Sequence, residues 1–202
     1  MEASGQELDR YSILGRAQGT GYTILYYATD SAVRRQAIDS VLSVIDQSMS
    51  LYRPHSLINR INTATAGTAV MVDGHFRNVF VRSRQIYRDS KGRFDITVGP
   101  LVALWRDLPD GVPYPEVDEL NRALHCVGMK KVRLKGSRLV KRDDCVRLDM
   151  NGIAQGYTVD VLARFLESRG VRHYVIELGG ELRVKGPKPD GTPMRIGIER
   201  LS

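Results

Sequence analysis

Acids, amides and hydroxyls stand beside glycines at several points of this chain. The densest such stretch is Leu148-Asp149-Met150-Asn151-Gly152-Ile153-Ala154-Gln155-Gly156-Tyr157. Asp149 falls where a strand-like run, Cys145 to Asp149, would give way to an amphipathic pattern from Ile153 to Arg169. Asn151 and Gly152 permit a tight backbone turn there. A turn that opens a helix offers free N–H groups and a positive dipole end, which suits a phosphate. A carboxylate beside that turn suits a divalent cation or a sugar hydroxyl. The same residues also read as an Asx-type helix cap followed by a buried glycine turn. Gly15 to Tyr22, Met49 to Ser56, Gly92 to Leu101 and Leu178-Gly179-Gly180-Glu181 share this character. Glycines let the backbone approach a ligand closely. Oxygens without imidazole or thiolate suit magnesium or calcium rather than zinc. The chemistry implied is binding of an anionic, phosphate-bearing ligand, alone or with a hard cation.

Other chemistries find little support. The chain has no Walker A loop, no G-x-G-x-x-G fingerprint and no Gly-x-Ser-x-Gly elbow. His55, His75, His125 and His173 are scattered, so neither a histidine triad nor a zinc site is expected. Cys126 and Cys145 are too few for a disulfide scaffold. A single bridge between them would need an oxidising compartment, and two buried free thiols are the expectation. Lys130, Lys131, Arg133, Lys135, Arg138, Lys141, Arg142 and Arg147, against Asp143 and Asp144, leave this stretch with most of the net charge of +7. Their alternation follows strand period and no aromatic platform is interleaved. They read as the wet face of a hairpin rather than a nucleic-acid surface. No run is long and apolar enough for a membrane span, and the first residues show no signal-peptide pattern.

The elements that must position these residues follow from periodicity. Ile13 to Ala17 and Tyr22 to Thr29 read as strands around a turn. Asp30 can cap a helix through about Tyr52, with Val33, Ala37, Val41, Ile45 and Met49 on one stripe. Ser56 opens a short helical turn, Ala69 to Val72 is a strand, and Asp73 caps a second long helix ending before Gly92. Gly92 to Leu101 reads as a strand that places Asp95 and Thr97 on one face. Residues 107 to 115 form a proline-rich connection and the one candidate linker. A short helix, Glu116 to Leu124, and a hairpin turning at Gly136-Ser137 follow. Then come the third long helix, a strand Val171 to Leu178 interrupted at Gly179-Gly180 and resumed from Glu181 to Lys185, and a last strand, Arg195 to Glu199. Striped helices and hairpins together predict an α+β fold with long helices packed on antiparallel sheets.

Taken in order, five motifs resemble the ApbE family, the FAD:protein FMN transferases. They are Gly15-Arg16-Ala17-Gln18-Gly19-Thr20-Gly21-Tyr22, Met49 to Ser56, Gly92-Arg93-Phe94-Asp95-Ile96-Thr97-Val98-Gly99-Pro100-Leu101 running on to Trp105, Asp149 to Tyr157, and Gly179-Gly180-Glu181. The resemblance implies T-fold-like α+β lobes that bind FAD in a cleft. It implies an extension over residues 1–14 and a flavin transferase domain over 15–202, within which the proline-rich connection near 107–115 marks a candidate lobe boundary. Gln18, Gly19, Thr20, Tyr52, Arg93, Phe94, Asp95, Asp149 and Gln155 match FAD-contact positions. Gly152 matches a position that offers magnesium an oxygen, here necessarily its backbone carbonyl. Gly19, Tyr52, Asp95, Asp149 and Gly152 are thus expected to converge. No catalytic residue is assigned. Core packing remains an alternative for Phe94, and a helix-end anchor for Tyr52.

The chain departs from the family in two ways. Gln18 stands where the family usually has Met, so an amide replaces an apolar wall. The family's His-x-x-Asp-Pro segment and its metal-binding Asp and Thr or Ser are not assignable, so the domain is expected to be incomplete at its C-terminus. The implied activity is magnesium-dependent transfer of FMN from FAD to a Thr or Ser hydroxyl of a carrier protein, with release of AMP. A magnesium-dependent FAD pyrophosphatase and a non-catalytic flavin-binding module are the alternatives. The resemblance further implies an extracytoplasmic, lipid-anchored setting at the membrane.

Overall fold

A computed structural model describes residues 7–197. These form two compact units, one made by the described residues up to Ser43 and from Gln155 onward, the other by residues 44–154. The proline-rich connection lies inside the second unit. The division falls instead within two helices, α1 (Arg35–Met49) and α6 (Asn151–Ser168).

The first unit holds one antiparallel sheet built from β1 (Asp9–Ala17), β2 (Thr20–Ala28), β6 (His173–Leu178) and β7 (Glu181–Lys185), in the order β1-β2-β6-β7. Period-two patterning turns Tyr22, Ile24 and Tyr26 of β2, and Tyr174, Ile176 and Leu178 of β6, to one face. There they pack with Ile38 and Leu42 of α1 and Val159, Leu162 and Leu166 of α6. Because β1 starts at Asp9, residues 9–14, expected to be an extension, belong to the sheet. Residues 1–6 of that extension lie outside the described residues. The expected break at Gly179-Gly180 is a hairpin turn. Leu178 pairs with Glu181, and both glycines have positive φ, 58° and 92°, which matches the twist of the flanking strands. Arg195 to Gly197 carry no strand, and Ile198 and Glu199 lie outside the described residues.

The second unit packs α2 (Leu57–Thr63), α3 (Gly74–Asp89), α4 (Gly99–Arg106) and α5 (Val117–His125) with a small sheet. That sheet holds β3 (Val70–Met71), β5 (Arg138–Lys141) and β4 (Val132–Lys135), in the order β3-β5-β4. The expected caps form. Ser56 accepts from the Asn59 amide, and Asp73 accepts from the Phe76 amide. α1 begins later than the Asp30 cap would place it, because the Val33 amide bonds the Tyr26 hydroxyl and Val33 is buried ahead of the helix.

Three further expectations are corrected in this unit. Gly92 to Leu101 is not a strand. The Asp95 carboxylate captures the Thr97 amide and hydroxyl in a local turn, which competes with an extended ladder. Gly99-Pro100 then opens α4, proline being well suited to a first helical turn. Cys145 to Asp149 is likewise not a strand, since only Arg147 forms a bridge, parallel to Val98. Finally, Cys126 and Cys145 are joined in a disulfide, with Cα atoms 5.4 Å apart, rather than being free. The expectation of free thiols rested on residue number alone. The chain fold brings the end of α5 to the loop before Asp149, which nothing in the local sequence signals.

Candidate functional site

Asp149 ends an extended segment whose backbone is gripped from one side by the turn of residues 95–98. The Asp149 amide donates to the Ile96 carbonyl at 2.7 Å. A Cβ on Gly99 would lie 2.8 Å from the Arg147 carbonyl oxygen, so only glycine admits this approach. The Asp149 carboxylate is largely buried, at 8% exposure. Its Oδ1 accepts from the Asn151 amide at 2.8 Å, which ties it to the first turn of α6. Its second oxygen has no hydrogen-bond partner among the described residues. A carboxylate held by one oxygen at a helix N-terminus, with the other open, is an acceptor for an amine or hydroxyl.

Phe94 reaches this turn. Its ring edge lies 3.6 Å from where a Cβ of Gly152 would stand, and the side chain is only half-buried, so the pure core alternative does not describe it. Asp95 is occupied differently. Its Oδ1 accepts from the Thr97 amide at 2.8 Å and from the Thr97 hydroxyl at 2.6 Å, and its Oδ2 accepts from the Met129 amide at 3.2 Å. Thr97 in turn accepts from the Gly128 amide at 2.6 Å. Asp95 therefore organises the turn that carries Phe94 and grips Asp149. Arg93 is exposed at that turn. Tyr52 is 83% exposed just after α1, which leaves its ring face open and does not fit a helix-end anchor. Gly152 is the second residue of α6. Its helical carbonyl points toward the amide four residues on, leaving one lone pair for any other donor or ion. Among the described residues no group of three or more His, Cys, Asp or Glu gathers as a metal would need.

The remaining sequence candidates cluster in the first unit. Gln18 and Gly19 form the two-residue turn between β1 and β2, with φ of 52° and 78°. The Gln18 amide nitrogen donates to the Thr158 hydroxyl of α6 at 2.9 Å, while its Oε1 is buried without a partner among the described residues. An unmet buried acceptor costs about 1–3 kcal/mol, and a donor from water or ligand would relieve it. The glycine turn after β6 closes on the same place. A Cβ on Gly179 would lie 2.8 Å from Thr20 Cγ2 and 3.0 Å from Gln155 Nε2. Gln18, Gly19, Thr20 and Gln155 are thus brought together with Gly179. Gly15 has a packing reason instead, since a Cβ there would strike the Tyr22 ring at 2.5 Å.

Three residues near the site were not anticipated. Arg106, in the last turn of α4, bonds Asp107 (Nε to Oδ1, 2.9 Å), and that bond first, then the negative charge of Asp107, holds its proton more firmly than usual. It gives the second unit an exposed cation at the end of α4. Its only sequence signal was its place directly after Trp105. Lys141, expected on a wet hairpin face, is 3% exposed. Leu139 and Lys141 share one strand face, and Leu139 is core, so period two carried that signal. Asn62 is buried beside Ile58 and Ile61 on α2, and a polar residue on an apolar helix face demands a partner.

The sequence pattern of the ApbE family matches residues 18–202. An FAD:protein FMN transferase of Vibrio cholerae serotype O1 is 34% identical over 200 residues, covering 96% of this chain and 60% of that protein. Among solved structures, the flavin transferase ApbE from Vibrio cholerae superposes with a TM-score of 0.90 at 33% identity, over 96% of this chain and 64% of that one. The apo Pseudomonas stutzeri flavinyl transferase ApbE gives 0.87 at 31% identity, over 95% and 64%. The chain thus spans about three fifths of the length of the relatives it matches.

Proposed function

The chain belongs to the ApbE family, and from that premise we propose that it works as an FAD:protein FMN transferase, with Asp149 and its surrounding turn binding FAD. The observation that carries the reading is the Asp149 carboxylate, fixed through Oδ1 by the Asn151 amide and open at its other oxygen. It accepts from the adenine amine or a ribose hydroxyl. Phe94 and Tyr52 offer ring faces for a flat heterocycle. Arg106 and Arg93 supply positive charge for the pyrophosphate.

The reaction is phosphoryl transfer. A Thr or Ser oxygen of a carrier protein attacks the FMN-side phosphorus, the bond to the bridging oxygen breaks, and AMP leaves with that oxygen. The hydroxyl proton passes to solvent. Magnesium, when bound, neutralises charge on such a pyrophosphate. The described residues do not fit a complete magnesium site, because Gly152 offers one backbone oxygen and no carboxylate cluster joins it. We also place the protein in an oxidising, extracytoplasmic compartment, supported by the Cys126–Cys145 disulfide. Among the described residues no helix is long and apolar enough to cross a membrane.

The test is to incubate the chain with FAD, magnesium and a threonine-bearing acceptor protein, and to follow acceptor mass and AMP. An acceptor heavier by one FMN, with matching AMP, supports the transferase. AMP and free FMN released without acceptor modification would replace it by a pyrophosphatase. FAD bound and recovered intact would leave a flavin-binding module.

A further inference from the structure

Lys141 is an expensive residue where it stands. Its ammonium is buried and has no carboxylate within ion-pair distance among the described residues. Burial pushes its pKa down, aided by Arg147 and opposed by Asp144. A methionine would fill similar space without the cost of burying a charge. What the ammonium does instead is donate to three backbone carbonyls, Asn62 at 2.8 Å and Asp144 and Val146 at 3.2 Å. That uses every proton a lysine has. Asn62 continues the same line. Its Nδ2 donates to the Leu148 carbonyl at 2.9 Å, and its Oδ1 accepts from the Leu148 amide at 2.7 Å.

Among the described residues, the segment from Asp144 to Asp149 makes a single isolated β-bridge, Arg147 to Val98, and joins no strand ladder. On the α2 side, where a ladder would satisfy the carbonyls of residues 144, 146 and 148, the donors are these two side chains. Together they replace a strand edge. The residue presented at the end of this segment is Asp149. The opposite side is held by the Ile96 carbonyl and by the close approach of Gly99 to Arg147. We propose that Lys141 and Asn62 are positioning residues that fix the 144–148 backbone and thereby hold the Asp149 carboxylate at the start of α6 for its ligand. The ligand half of this statement rests on the flavin reading above; the positioning half does not.

Both halves are testable on the 202-residue chain. Lys141→Met and Asn62→Asp are compared with parent and with Phe80→Leu, a core truncation elsewhere in the same unit that lowers stability without touching this line. Amide hydrogen exchange reads the positioning. Lys141→Met should speed exchange at Leu148 and Asn151 by about tenfold while the amides of β2 and β6 stay as in parent. Asn62→Asp keeps an acceptor for the Leu148 amide, so it should speed Asn151 alone and remain foldable if Lys141→Met does not. FAD titration reads the consequence. If the competent fraction falls to about a tenth, the apparent Kd rises about tenfold, whereas Phe80→Leu leaves it unchanged. Unchanged exchange at Asn151 in both variants overturns the proposal whatever FAD does. A Kd that follows stability equally in Phe80→Leu and Lys141→Met also overturns it. Faster exchange at Asn151 in the variants, with a parent that never binds FAD, upholds the positioning and sinks the flavin reading.

Discussion

Asp149 and Gly179 show how differently a residue can matter to this site. Asp149 contributes one cap-like bond to α6, a kind of interaction worth about 0.5–2 kcal/mol to folding. Asp149→Ala should therefore unfold at a denaturant midpoint only modestly below parent, and a variant that cannot fold would contradict the assignment of its main role to ligand. Gly179 is structural by necessity. Its φ of 58° lies in the left-handed region, and an added Cβ would press on Thr20 and Gln155. Gly179→Ala should cost about 1–2 kcal/mol from backbone conformation alone, measurable by chemical denaturation. A neutral effect would mean that the turn relaxes freely, and that Gln18, Thr20 and Gln155 are not held by it.

At the scale of elements, the two sheets make separate predictions. In the first unit, burial first and then the hydrogen bond to Asp39 push the Tyr22 phenol up to about 12 from 10.0, and burial with Glu167 does the same for Tyr174. A raised folded-state pKa contributes stability that is complete below the unfolded value and is lost as pH rises through the folded one. The β2–β6 pair should accordingly weaken between pH 10.0 and about 12. Burial raises the Tyr26 phenol as well, so absorbance of tyrosinate should show Tyr22, Tyr26 and Tyr174 titrating late, with one late group removed by Tyr22→Phe. In the second unit, the disulfide closes a short loop between α5 and the segment leading to Asp149. Cys145 is exposed to reductant, and reduction should remove about 3 kcal/mol. An unchanged Tm in reductant would show that the loop is held without the bond.

Elements with a strong period were legible in the sequence. The β1–β2 and β4–β5 hairpins, α3 with its Asp73 cap and α6 all follow from stripes, alternation and turn residues. What escaped were places where side chains substitute for a ladder. Asp95 bends a β-branched run into a turn, Lys141 and Asn62 stand in for a strand, and the disulfide depends on contacts remote in sequence. Such bonds are set by tertiary placement, which local propensity does not encode.

For the whole molecule, the sequence candidates fall into two groups, one in each unit. Tyr52, Arg93, Phe94, Asp95, Asp149 and Gly152 belong to one; Gln18, Gly19, Thr20 and Gln155 belong to the other. Each group was marked in the sequence by motifs that set glycines beside polar residues. The cation at Arg106 and the brace behind Asp149 were not, since neither sits in a motif. The most direct test of the central claim is an equilibrium titration of FAD into the chain and into Asp149→Ala. The account predicts saturable one-site binding by parent. Loss of a charged acceptor should weaken it by about 1.5–3 kcal/mol, at least about tenfold, with the fold retained. Absence of FAD binding by the parent, or equal affinity in the two proteins, would contradict it.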